Sequence, residues 1–342
     1  MTIKKLDKAA LDKWISACIE NQQVFGVQAR DDRFVFAPLE NAEDLRLDYD
    51  VTILPPKKYF LPPRETLLKF DRKEGFESIF DDKPFVLFGV HPYDMIAISQ
   101  TDKLFSEDHH DTHYFERRQN ATIVACDVQN ASKDVFAGCM GTATVGDGFD
   151  ILITKIESDY LVDIRTEKGQ ALAETIKDAE DADEMSVKLR KLVWADNTEL
   201  LQKHKLHIRP DVLPRLLDRS MEHPVWEEKS QRCFSCGSCN LVCPTCYCFD
   251  VQDDVEWNLQ KGRRYRAWDG CLLSEFAAVA GGHNFRRNRA DRYRHRYYRK
   301  GKYVSEKIGE VACVGCGRCI TACTAKIANP VEVYNKLVDE GK

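Results

Sequence analysis

Cys233-x2-Cys236-x2-Cys239-x3-Cys243 is answered seventy residues later by Cys313-x2-Cys316-x2-Cys319-x3-Cys323. The likeness extends beyond cysteine, since CFSCGSC is matched by CVGCGRC. This is the spacing of two-cluster bacterial ferredoxins, in which the fourth cysteine of each run ligates the other cluster. Three cysteines two residues apart wrap the chain around three corners of one Fe4S4 cube. Backbone N–H groups can then turn toward the sulfides and offset their charge. Gly237 and Gly317 lie between the second and third ligands, where absence of a Cβ lets the backbone come close. The expected ligand sets are Cys233, Cys236, Cys239 and Cys323 for one [4Fe-4S] cluster, and Cys313, Cys316, Cys319 and Cys243 for a second. Structural zinc sites instead use CxxC pairs set well apart. The second run ends in Cys-Thr-Ala where the first has Cys-Pro, a change at a position that ligates nothing.

Fourteen cysteines are present and eleven lie beyond residue 230. Three of those eleven, Cys246, Cys248 and Cys271, are surplus to the two runs. They admit two readings. With Cys126, Cys139 or His283 as a fourth ligand they would make a third metal or iron–sulfur site. Otherwise they are small buried hydrophobes that keep solvent from the clusters.

Net charge is −5, unevenly distributed. Residues 261–302 hold thirteen Lys and Arg against three acids, a balance of +10 that leaves −15 elsewhere. Its densest part, RRNRADRYRHRYYRK, interleaves arginine with tyrosine, a pattern that also serves nucleic-acid binding. Guanidinium groups offsetting cluster charge, with the exposed remainder docking an acidic partner, is the expectation preferred here.

These residues need elements to hold them. Helical spacing of apolar residues predicts a helix over 5–20. VFGVQ and FVFAPL read as a strand pair. Phe85–Val90 reads as a buried strand leading through His91-Pro92 into a helix. ATIVACDV, FDILITKI and YLVDI are further strands, and 167–178 and 182–206 further helices. The expected architecture is a mixed α/β domain over 1–220, then a two-cluster, largely α-helical ferredoxin-like domain over 221–342 with an inserted segment 247–310. No run of eighteen apolar residues occurs. MTIKKLDKAALDKW reads as a helix rather than a secretion signal, so the expected compartment is the cytoplasm.

CFSCGSCNLVCPTCYCFDV, WDGCLLSEFAAVAGGHNFR, RYRHRYYRK and CVGCGRC together resemble the ferredoxin-type electron-transfer subunit of anaerobic sulfite reductase. They equally resemble the beta subunit of sulfhydrogenase-type nickel–iron hydrogenases. The likeness extends upstream to PPRETLLKF and FGVHPYDMIAISQTD. Members of that family often have Arg and Cys where this chain has His91 and Tyr93, and many carry Cys-Phe-Cys near Val135-Phe136-Ala137. The resemblance implies an electron-transfer subunit of a multi-subunit oxidoreductase. Its partners would be a catalytic subunit of the sirohaem sulfite reductase or nickel–iron hydrogenase type, together with a flavin/NAD(P)-binding subunit. No G-x-G-x-x-G follows a strand, so nothing indicates that the chain binds nicotinamide itself. A self-contained reductase with chemistry at Cys246, Cys248 and Cys271 is the alternative, and an iron–sulfur protein that binds nucleic acid a remote one.

Overall fold

A computed structural model describes residues 2–177 and 179–341. Its strands are β1 (Thr2–Leu6), β2 (Gln23–Arg30), β3 (Arg33–Pro38), β4 (Arg64–Asp71), β5 (Gly75–Ser78), β6 (Phe85–Val90), β7 (Ala121–Cys126), β8 (Ile151–Ile156), β9 (Asp159–Ile164), β10 (Glu180–Asp181), β11 (Phe249–Val255) and β12 (Lys261–Trp268). One sheet runs β10-β1-β9-β8-β7-β6-β2-β3. Its centre, β2, β6, β7 and β8, is parallel, and the strands outside it pair antiparallel. Every residue of β6, FVLFGV, is buried, as a parallel strand covered on both faces requires. The helix Pro92–Ser106 follows with Pro92 in its first turn, where the missing N–H costs no hydrogen bond.

The first helix is Lys8–Asn21, capped by the Asp7 carboxylate, which accepts from the Ala10 N–H at 2.7 Å. Its Trp14 meets Phe88 of β6 edge-on at 5.5 Å, and its indole N–H donates to the Leu172 carbonyl at 3.0 Å. The residues ahead of it form β1 between β9 and β10. Two lysines in TIKKL conceal that strand, whose pairing comes from distant chain. The helices expected over 167–178 and 182–206 are Glu167–Ala173 and Glu184–Leu200. Asp178, the end of the first expectation, lies outside the described residues.

A second sheet, β11-β12-β4-β5, pairs strands from opposite ends of the chain. The inserted segment of the domain expected to be largely α-helical therefore begins as a β-hairpin. Its strands are mostly exposed and charged, which hides them from a hydrophobicity reading. Across the hairpin Arg264 pairs with Asp253 and Arg263 with Asp254. Where β12 reaches the interior, Arg266 binds Glu65 of β4 at 2.6 Å, and Arg117 binds the same carboxylate.

Outside that hairpin, the chain from residue 210 onward is helical around its own core of Leu213, Trp226, Tyr293, Tyr297, Tyr298 and Tyr334. The helix Arg289–Tyr298 continues through a π-helical turn, Arg299–Tyr303. Gly301 in that turn packs so tightly that a Cβ would lie 2.6 Å from Leu217. Among the described residues no helix is long and apolar enough to cross a membrane.

Candidate iron–sulfur centres

The two cysteine runs fold into loops with the same backbone signature. In the first, Ser235 and Gly237 are left-handed at φ 54° and 72°. In the second, Gly315 and Gly317 are left-handed at 66° and 76°. Each loop leads into one short helical turn, Ser238–Leu241 or Arg318–Ala322, that carries the third cysteine.

The loops are brought side by side around two small cavities. One is lined by Cys233, Cys236, Cys239 and Cys323, with Leu272, Tyr293 and Ile327 behind them. The other is lined by Cys243, Cys313, Cys316 and Cys319, with Phe136, Tyr297 and Tyr334. Three thiols of each cavity thus come from one run and the fourth from the other. Among the described residues no three His, Cys, Asp or Glu side chains converge closely enough to share a single metal ion. Four thiols spread around a cavity suit the separated corners of a cluster, not one zinc at ~2.3 Å from every sulfur.

Electrostatics agree with that fit. Burial pushes the Cys239 and Cys313 thiols up to about 12 and raises Cys316 and Cys319 as well. Such thiols ionise only when a cation takes the proton's place, which is how metal binding couples to proton release. Cys243 is held well below the ordinary thiol range, by a hydrogen bond from Cys246 and by Lys300 and Arg296. Cys246 is pushed the other way, by the neighbouring Cys243 and by burial.

The surplus cysteines lie beside this region. The Asn240 side-chain amide points at the sulfurs of Cys271, at 3.3 Å, and Cys246, at 3.5 Å. Cys248 is half-buried, and burial together with Cys271 raises its thiol. The three candidate fourth ligands are held elsewhere. Cys126 sits in the core of the large sheet. The Cys139 thiol donates to the His204 carbonyl at 3.3 Å. His283 lies on an exposed loop, edge-on to Phe285.

Several site residues escaped the sequence reading. Arg318, inside the second loop, makes a bidentate pair with Asp94, both bonds at 2.6 Å, and binds the carbonyl and hydroxyl of Thr52. All of these groups are buried. The signal was a charged residue between two ligand positions, in CVGCGRC. Lys57 donates to the Cys246 carbonyl at 2.6 Å and covers Trp268, and nothing in its sequence context marks it. The basic segment also resolves into parts. Lys261, Arg263, Arg264, Arg266, Arg294 and Lys302 are paired with carboxylates. Tyr293, Tyr297 and Tyr298 are buried, so they offer no surface for stacking bases.

Comparison with known proteins agrees with this geometry. A family described as "4Fe-4S dicluster domain" matches residues 232–327, the span holding both runs. Over 344 aligned positions the chain is 34% identical to sulfhydrogenase 2 subunit beta of Pyrococcus furiosus, covering 99% of this chain and 98% of that one. The chain belongs to the sulfhydrogenase beta-subunit family. It is a mixed α/β member with a C-terminal 4Fe-4S dicluster domain. The place where the resemblance puts Cys-Phe-Cys is here Val135-Phe136-Ala137. This segment lies against the second loop, with the Phe136 N–H donating to the Gly315 carbonyl at 2.8 Å. Phe136 itself lines the second cavity.

Proposed function

We propose that this chain is an iron–sulfur electron-transfer subunit of an oxidoreductase complex. In that role it relays electrons between a flavin/NAD(P)-binding partner and a catalytic subunit of the hydrogenase or anaerobic sulfite reductase type. The observation that carries the reading is the pair of cavities, each ringed by four thiols drawn crosswise from both runs. Cys233, Cys236, Cys239 and Cys323 would hold one [4Fe-4S] cluster, and Cys243, Cys313, Cys316 and Cys319 the other. Bound there, the clusters supply reversible one-electron chemistry at potentials set by charge, hydrogen bonds and solvent exposure. The chain's part is to keep eight thiolates in place, to exclude water with Phe136, Tyr293, Tyr297 and Tyr334, and to bury positive charge beside them. Cys246, Cys248 and Cys271 complete the wall.

Anaerobic purification with iron and sulfide analysis tests the reading. The expected result is a brown protein, absorbing broadly near roughly 400 nm, with about eight irons per chain. A colourless, zinc-loaded protein would overturn it. About twelve irons would assign Cys246, Cys248 and Cys271 to a third cluster instead. Co-purification from native cells then identifies the partners. A nickel–iron protein supports hydrogen chemistry and a sirohaem protein supports sulfite reduction.

A further inference from the structure

Arg292, Arg296 and Lys300 follow one another at i, i+4 and i+8, so they lie along one face of a helix that continues through the π-turn. All three are buried, at 5%, 2% and 5% exposure, and among the described residues none pairs with a carboxylate. Three buried cations in a row without anions are strongly unfavourable unless negative charge sits beside them. The row runs along both cavities. Arg292 donates to the Ser235 hydroxyl of the first loop at 3.0 Å and to the Arg286 carbonyl at 2.9 Å. Lys300 lines only the second cavity and donates to the carbonyl and hydroxyl of Thr245, both at 2.7 Å, next to Cys243. Arg296 lines both cavities. One Arg296 N–H group faces the Cys239 carbonyl at 3.4 Å, while its Nε is buried with no partner. Its charge acts on Cys239 of the first set and on Cys319 and Cys243 of the second.

We propose that Arg292, Arg296 and Lys300 are the built-in counter-charge of the two clusters, with Arg296 shared between them as the residue that raises both reduction potentials. This rests on the two-cluster reading above. A cluster ligated by four thiolates carries net negative charge that grows on reduction, so a fixed cation held nearby favours the reduced form. These are positioning residues that act through charge and touch no substrate. Position along the helix predicts their reach. Arg292 acts mainly on the first cluster, Lys300 mainly on the second, and Arg296 on both.

Potentiometric titration of the full chain, followed by low-temperature EPR of the reduced clusters, tests this. R296Q is expected to lower both midpoints, each by roughly tenfold in its reduction equilibrium, which is about 59 mV for one electron. R292Q and K300Q should each lower mainly one, and not the same one. R296K keeps the charge and should stay near wild type. An iron-replete R296Q with unmoved midpoints, or with only one moved, overturns the inference while leaving the two clusters standing. Wild-type protein without iron would instead fail the cluster reading itself. Should R296Q lose iron, R296K decides. Retained iron in R296K supports the charge role, and equal loss in both assigns Arg296 to packing and overturns it.

Discussion

Cys233 and Cys239 are as buried as Cys316 and Cys319, but the tip of the first loop faces outward, with Cys236 exposed and Phe234 71% exposed, whereas the corresponding Cys316 and Val314 are buried. In the first loop the left-handed position before the second cysteine is Ser235, whose hydroxyl accepts from Arg292. In the second it is Gly315, where a Cβ would lie 2.6 Å from the Ala137 nitrogen. At Gly317 a Cβ would lie 2.4 Å from the Asp134 carbonyl oxygen. One ligand spacing therefore serves two settings. The outward loop offers a cavity edge to the surface, and the inward loop is clamped to the N-terminal region by Arg318–Asp94 and by backbone contact. Under the proposed function the outward site is the natural side for exchange with a partner, and the inward one an insulated relay.

Removing a crossed ligand should break this contrast most severely. Cys323→Ala belongs to the second run but should empty the outward site, and Cys243→Ala should empty the inward one. Each would lose about four of about eight irons, read by iron analysis and absorbance near roughly 400 nm. If each variant instead lost the cluster of its own run, the crossed assignment would be wrong.

Arg318→Met comes next in size. It leaves the Asp94 carboxylate buried without its partner, so anaerobic denaturation should show a loss of about 3–5 kcal/mol. The glycines sharpen the comparison directly. Gly317→Ala should cost about 3 kcal/mol or more, because backbone at 2.4 Å cannot move aside and the left-handed φ adds strain. Gly237→Ala meets only the flexible Leu273 side chain at 3.1 Å and should cost about 1 kcal/mol. Equal costs would remove the distinction between a clamped and an open loop. The smallest effect belongs to the exposed hairpin. Arg264→Ala removes a solvent-exposed cross-strand pair with Asp253 and should leave the denaturation midpoint almost unchanged, any difference shrinking further with salt.

What could be read in the sequence follows a physical boundary. β6 and β7 were legible because strands buried on both faces are written as apolar runs. The helix Pro92–Ser106 was legible through its proline. β11 and β12 were not, because an exposed charged hairpin has no hydrophobic signature and its partner β4 lies nearly two hundred residues away. In the basic segment composition was visible but roles were not. Arg264 and Arg296 look alike in the sequence, yet one is a surface pair and the other a buried cation between two cavities. Their i, i+4 spacing marks Arg292, Arg296 and Lys300 as one face, but only packing shows that the face is internal.

By itself the sequence determined which eight cysteines are the candidate ligands, since two runs of the same spacing single them out from the other six. It also placed glycine at positions 237 and 317, both of which the structure turns left-handed. The tertiary structure alone decided that one site looks outward and the other inward, because burial depends on which distant backbone packs against a loop. It also decided which of the cations are neutralised by carboxylates and which face the thiols. Charge acts through space, and the order of residues along the chain does not say what lies across from them.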